Sequence, residues 1–440
     1  MILESVKVLE EKYASKMENG FQDNEFHMST RMCDDGIYDW FPMVQRFTRS
    51  FLSKLFGKSE LKDSRIVLDP FMGSGNVLLA CLEYGKIGYG IDISPMFCFT
   101  AHVKTNKYTK KDFEEAIDLI KSKEKKGKKV KHPALTSFQR FFDDEILGEI
   151  LRLKEATCVL NQKAKELVHF ALISELLTFS NAERDGKGLH KKRKEKTSDI
   201  YRTIAGKLRK MREENEQFRK LVPHAVETYS LCGDARDFES IINPYEEGKT
   251  FPTGEIDNIV TSPPYCNSAD YIEMYKLEHW FLDFVKSYDE FRALSYSTVR
   301  SHTTFSNEKV DWRHEVIDDL CPRLEGLWGK KMKIPNMIRG YFDDLHIFFE
   351  QVQRVLRPGG TIFMVVGNSC YKGMPIPTDL LLAEAAKDTG LYVERINLLR
   401  RIMTSGQQWK TLSSEDKAIL RESLLVLKRS ERRARNVKLT

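Results

Sequence analysis

Apolar and polar positions along the chain change period several times, and each change marks an element. Residues 65–69 (R-I-V-L-D) read as a buried strand, followed by a glycine turn and a helix to about Glu83. A second strand, I-G-Y-G-I-D, ends at Asp92, and a helix is predicted from Pro95 to about Lys104. Strand, turn, helix, strand is the opening of a parallel α/β sheet. From about Lys104 to Val226 the period becomes helical, with apolar positions recurring through 113–120, 146–153, 167–177 and 200–211. Two basic tracts, 121–131 and 190–196, interrupt it and read as mobile loops. The region is predicted as a helical insertion of about 120 residues.

Strand signals return at 227–231, then in I-D-N-I-V-T just before S-P-P-Y at 262–265. A second helical excursion runs from about Ala269 to Val355, with Tyr271, Tyr275, Trp280, Phe281 and Phe284 at helical spacing, as core aromatics would be. R-P-G-G at 357–360 reads as a turn before the buried strand T-I-F-M-V-V-G. A helix over 379–389, a strand over 392–399 and a final strand over 422–428 complete the pattern. The last two strands, with a long helix-free loop between them, read as a hairpin. The fold class is therefore α/β: a doubly wound, seven-stranded sheet with a terminal antiparallel hairpin and helical insertions. Such sheets bind ligands at the carboxyl ends of their strands, near the topological switch point.

Of the 440 residues, 41% are apolar and 30% charged, an ordinary globular composition that excludes disorder over most of the chain. No apolar run is long enough for a membrane span. The N-terminus lacks the pattern of a signal peptide, which predicts a cytoplasmic protein. Eight scattered cysteines form no C-x-x-C pair, so neither a zinc site nor a disulfide framework is indicated, and no metal is expected. The net charge is +6, but residues 104–220 hold 30 Lys/Arg against 19 Asp/Glu, so this segment carries the positive excess. That suits a polyanionic partner, and equally a solvated helical surface.

Four short motifs carry the candidate chemistry. D-P-F-M-G-S-G at 69–75 lies where a strand meets a helix; its glycines permit a sharp bend and close approach to a ligand, and Asp69 brings a charge suited to an ammonium or sulfonium. It lacks a triphosphate-loop pattern, and position 78 is leucine where a nicotinamide fingerprint needs its third glycine. G-I-D-I-S at 90–94 ends a strand with Asp92, placed to accept from two ribose hydroxyls, while Ile93 could pack on an adenine. C-G-D-A-R-D at 232–237 offers Asp234 to an exocyclic amine. Each of these also reads as a plain strand–helix turn or a helix cap. T-S-P-P-Y at 261–265 is more pointed. Two prolines stiffen the turn, the Ser262 hydroxyl and Pro263 carbonyl are acceptors, and Tyr265 offers a flat face. Two acceptors beside an aromatic plane suit a planar group bearing an amine.

These motifs, in this order, resemble the S-adenosylmethionine-dependent amino-methyltransferases of DNA, over roughly 30–103, 226–275 and 340–430. The resemblance implies a Rossmann-like methyltransferase sheet, S-adenosyl-L-methionine as cofactor, double-stranded DNA as partner, and base flipping. The S-P-P-Y form is associated mainly with N4 of cytosine, with N6 of adenine or an RNA amine as the alternative. A non-catalytic DNA-binding subunit is disfavoured, because both D-P-F-M-G-S-G and T-S-P-P-Y are intact. By match, Asp69, Phe71, Gly73 and Gly75 would line the methionine half of the cofactor; Asp92 would hold the ribose, Ile93 cover the adenine, and Asp234 bind its amine, with Pro70 and Ala235 also among the cofactor-binding residues. Phe41 and Pro42 match the family's N-terminal cofactor-contacting segment, and Ser262, Pro263, Pro264 and Tyr265 its catalytic loop.

Three parts follow: residues 1–103 as the first half of the core, 104–225 as a basic helical insertion, and 226–440 as the second half. Residues 104–225 and 266–345 compete for DNA recognition. Lys191, Lys192, Arg193, Lys194 and Arg300 are the phosphate-contact candidates, and Gln407 and Gln408 the base-edge readers; any of them also reads as an ordinary surface residue. A restriction endonuclease acting on the same site would be the natural companion, in a prokaryotic or phage cytosol.

Overall fold

The structure is a computed structural model; it describes residues 3–19, 28–29, 35–123, 139–185, 188–192, 199–223, 226–241, 251–305, 309–328, 333–403, 409–410 and 412–431. Eight strands form the main sheet: β1 (Met17–Glu18), β2 (Ile66–Asp69), β3 (Ile87–Asp92), β4 (Thr228–Cys232), β5 (Ile256–Thr261), β6 (Leu356–Gly367), β7 (Leu391–Arg401) and β8 (Arg421–Arg429). Their order across the sheet is β1-β7-β8-β6-β5-β2-β3-β4. Strands β6, β5, β2, β3 and β4 pair in parallel, while β8 runs antiparallel between β6 and β7. This is the doubly wound, Rossmann-like sheet with a terminal hairpin that the sequence predicts. The eighth strand is β1, two residues pairing in parallel with β7 at Ile396 and Asn397. Two residues carry no readable period, so the expected count was seven.

Alternation within the strands explains why the sheet is covered on both faces. Val67, Val260, Phe363 and Val365 belong to one apolar cluster, and their neighbours Leu68, Ile259, Ile362, Met364 and Val366 to the other. A parallel sheet needs this, since its connections lay helices on both sides. The first layer holds α1 (Asn76–Glu83) and α2 (Pro95–Thr105), and beyond them α3 (Lys110–Lys123), α4 (Asp144–Ala156), α5 (Gln162–Phe179) and α6 (Ile200–Arg219). The second holds α7 (Ile334–Val355) and α8 (Thr378–Asp388). Phe113, Leu167, Phe170 and Leu208 of residues 104–225 share one apolar cluster with Val67 and Phe363 of the sheet, so this insertion thickens a layer.

Four local readings change. R-P-G-G at 357–360 lies within β6, where the register slips between Leu356 and Thr361, rather than forming a turn before the strand. Leu189–Lys191 is a strand paired with Ala182–Arg184 rather than loop; the charged tract hid it, because outward-facing strand positions carry lysine as easily as loops do. The connection between β7 and β8 contains a short helix, Ser414–Ile419, fixed by a capping box between Ser413 and Asp416. Phe284 is exposed, whereas Tyr275, Trp280 and Phe281 are core. No helix among the described residues is long and apolar enough to cross a membrane, and no described cluster of His, Cys, Asp or Glu could hold a metal.

Candidate active site

The switch point lies between β2 and β5, whose ends carry Asp69 and Thr261. The Thr261 hydroxyl donates to Asp69 Oδ1 at 2.8 Å, joining the first motif to the last across the sheet. The Phe71 amide donates to the same oxygen at 3.2 Å, holding the bend after β2. Within that bend Gly75 adopts φ +79°, and a Cβ there would lie 2.7 Å from the Ala101 Cβ on α2. Only glycine lets the chain turn left-handed against that helix.

Asp92 ends β3 and is held twice: the Gly73 amide donates to Oδ2 at 3.0 Å and the Ser94 amide to Oδ1 at 2.9 Å. Ser94 is itself the helix cap, accepting from the Phe97 amide at 3.3 Å. The cap and the acid are thus two residues apart, and the two readings of G-I-D-I-S coexist.

A cleft opens over these ends, with about 1040 Å³ of atom-free space including its mouth. Asp69, Pro70, Phe71, Gly73, Asp92, Ile93, Asp234 and Ala235 line it, and so do Ser262, Pro263, Pro264 and Tyr265. The four motifs, spread over nearly 200 residues of sequence, converge on one space because all four end strands on the same edge of the sheet. Gly75 is not on the lining; it shapes the bend from behind.

Burial sets the charge state. It pushes the Asp69 carboxyl up to about 7, with the nearby Asp92 charge adding and the Thr261 and Phe71 hydrogen bonds opposing. It pushes Asp92 up to about 6 against the Ser94 and Gly73 amides. Two desolvated carboxylates facing one cleft favour a cationic ligand, which would restore the charge that burial disfavours. Asp234 is engaged differently: the Arg236 guanidinium grips both its oxygens, Nε donating to Oδ1 at 3.0 Å and Nη2 to Oδ2 at 2.7 Å, and the Arg236 amide donates to Oδ1. Arg236 reaches on to Asp344 at 2.9 Å.

Several expected residues lie elsewhere. Phe41 is fully buried, its ring 6.3 Å from that of Phe170 and 5.8 Å from that of Tyr275, and neither it nor Pro42 lines the cleft. The N-terminal segment does reach the cleft, but two to six residues later, through Met43, Gln45, Arg46 and Phe47. Arg300 is not a surface cation. Its side chain is 5% exposed and ion-paired with Asp343 and Asp344, both at 2.8 Å, so it cannot contact a phosphate. Its ion pairs tie the 297–302 segment to α7 within the second excursion, and removing one partner would leave a buried charge. Lys191 and Lys192 are exposed on the 182–191 hairpin, with Lys192 bonded to Glu183 at 2.7 Å. Arg193, Lys194, Gln407 and Gln408 lie outside the described residues.

Sequence reasoning missed the far wall of the cleft. Tyr271, Ile272, Ser297, Thr298, Val299, Ser301 and His302 all line it, from the second excursion. The Tyr271 hydroxyl donates to Gln45 Oε1 at 2.6 Å, closing this wall on the N-terminal segment. The only available signal was position, directly after S-P-P-Y.

No protein-family model matches the chain. Curated proteins do. The chain is 28% identical over 390 residues to the Type II methyltransferase M.AvaI of Nostoc, covering 82% of this chain and 80% of that one. It is 24% identical over 444 residues to the Type II methyltransferase M.BsoBI of Geobacillus stearothermophilus, covering 89% and 86%. It is 24% identical over 362 residues to the Type II methyltransferase M.MvaI of Kocuria varians, covering 76% of each. Over most of its length, then, and with a Rossmann-like sheet to match, this chain is similar to proteins named Type II methyltransferases.

Proposed function

We propose that the chain is a site-specific DNA methyltransferase that moves a methyl group from S-adenosyl-L-methionine to the exocyclic N4 amine of cytosine, on a base flipped out of the duplex. The observation that carries this reading is the shared cleft: the glycine bend with its two acids and the double-proline corner line one space. The names of the similar proteins support a methyltransferase acting on DNA; a restriction endonuclease acting on the same site would be its natural companion.

The residues fit the cofactor. Asp69 is buried and Asp92 partly buried, and a cationic ligand would favour the ionisation of both. Asp92, already oriented by two amides, keeps lone pairs for ribose hydroxyls, and Ile93 and Phe71 supply apolar cover. Asp234 is a weaker acceptor for an adenine amine than the motif alone implies, because Arg236 occupies both its oxygens; Ala235 and the Ser297–Val299 segment share that part of the lining. When bound, S-adenosylmethionine supplies an electrophilic methyl on a sulfonium.

The chain's own task is at the acceptor. A cytosine amine is a poor nucleophile because its lone pair is delocalised into the ring. Accepting its two protons at Ser262 Oγ and the Pro263 carbonyl localises that pair on nitrogen and favours the positive charge that develops there. The proton leaves a much more acidic aminium, so no strong base is required beforehand. Tyr265 provides a flat surface for the base, and holding the reactants in line supplies much of the acceleration. Flipping the base costs a few kcal/mol, which contacts to the DNA backbone would offset.

Incubating the protein with DNA and labelled cofactor, then digesting to nucleosides and weighing them, tests the reading. N4-methylcytosine is expected; N6-methyladenine would overturn the cytosine assignment, and no methylated nucleoside would overturn the function. Ser262→Ala should lower turnover at least about 100-fold, the loss typical when one transition-state hydrogen bond is removed. Its cofactor affinity should stay within about twofold.

A further inference from the structure

Tyr265 is not held in the way a simple stacking residue would be. Its phenol is buried and donates to Glu422 Oε1 at 2.8 Å. Glu422 is fully buried at the start of β8, where it pairs directly with Gly367 of β6 and Arg400 of β7. Arg400 Nε donates to Glu422 Oε2 at 2.7 Å and neutralises the carboxylate. Gly367 makes the path possible: a Cβ there would lie 2.8 Å from the Tyr265 ring, so the ring crosses β6 only over a residue without a side chain.

Glu422 is acceptor-only when ionised, so the phenol proton must point to it. That bond fixes where the Tyr265 ring axis points, and the gap over Gly367 fixes the ring's plane. A ring so held presents one defined face to the cleft that it lines.

We propose that Glu422 is a positioning residue for methyl transfer: held by Arg400, it anchors the Tyr265 phenol and so fixes the ring face against which the target base is held. The role rests on the function proposed above, and it links the terminal hairpin to the catalytic loop.

The test uses the full chain, with single-turnover methylation of genomic DNA as the rate and calorimetry for cofactor affinity. Glu422→Gln keeps the shape but replaces the charged acceptor by a neutral amide; it should slow transfer roughly ten- to hundredfold, with cofactor affinity within about twofold. Tyr265→Phe, which keeps the ring and removes the phenol that Glu422 holds, should lose a similar factor. Adding Glu422→Gln to Tyr265→Phe should cost nothing more, because Glu422 acts through that phenol. A general loss of packing would not give that pattern. A wild-type rate in Glu422→Gln, or losses that multiply in the double variant, would overturn the positioning role while leaving the methyltransferase reading intact. A wild-type protein that transfers no methyl group would overturn both.

Discussion

The two ends of the cleft are built by different means. At the donor end, a glycine bend and two acids are fixed almost entirely by backbone groups: the Phe71, Gly73 and Ser94 amides all donate to Asp69 or Asp92. At the acceptor end, a side-chain path runs from Tyr265 to Glu422 and Arg400 on the last two strands. The donor end is local in sequence, so a short motif describes it. The acceptor end draws on residues more than 130 positions away, so its motif is only half of the device. Thr261 to Asp69 is the direct bond between them.

That contrast can be broken from the donor side first. Asp92→Ala removes the acceptor that orients the Gly73 and Ser94 amides together with the proposed ribose contact. Cofactor affinity should fall roughly 100-fold, the scale of losing two hydrogen bonds to a charged group. DNA binding measured without cofactor should stay near wild type. An unchanged cofactor affinity by calorimetry would detach G-I-D-I-S from the donor end.

Gly75→Ala should act through the fold. The left-handed φ and the close approach to Ala101 together should destabilise the protein by about 1–3 kcal/mol in denaturant unfolding. Gly326, over which nothing crowds, is the control, and its replacement by alanine should not destabilise.

pH sharpens the comparison with a smaller, graded effect. Asp69 and Asp92 have raised values, about 7 and about 6, when folded. Between roughly pH 4 and 7 the folded protein therefore binds more protons than the unfolded chain, so this contribution to stability is present at the acid end and is lost as pH rises. Binding of a cationic cofactor has the opposite sign: it favours the ionised acids and should tighten as pH rises through 6 to 7, by up to about tenfold per unit for each coupled group. Calorimetric titrations across that range, beside thermal unfolding without cofactor, should move in opposite directions. Parallel movement would mean that these acids do not face the cofactor.

Much of the fold was legible because most of its strands are buried apolar runs ending in a distinctive turn. The ends of β2, β3, β4 and β5 are where the motifs sit, and strand periodicity places them on one edge. What was hidden had physical reasons. The two-residue β1 is too short for a pattern. The 182–191 hairpin is masked by surface charge. Arg300 looked like a phosphate contact because charge in a sequence carries no sign of burial; Asp343 and Asp344, its partners, lie over 40 residues on. Phe41 matched a motif, but the residues that line the cleft fall just after it, between Met43 and Phe47. Glu422 did leave a trace, as an acid opening the otherwise apolar run E-S-L-L-V-L, but nothing in the sequence names its partner.

The two helical excursions make the same point about recognition. Residues 104–225 carry the positive excess, yet their apolar side chains share the core with the sheet. The second excursion carries no such charge signal, yet Tyr271 and the 297–302 segment form a wall of the cleft.

The most direct test of the central claim is a crystal structure of the protein with a methyl-donor analogue and duplex DNA containing its methylation site. The account predicts one cytosine outside the helix with its amine about 3–3.5 Å from the donor position and within hydrogen-bonding distance of Ser262 Oγ and the Pro263 carbonyl. A donor analogue seated away from Asp69 and Asp92, or a target base lying outside the cleft that Ser262 lines, would contradict it.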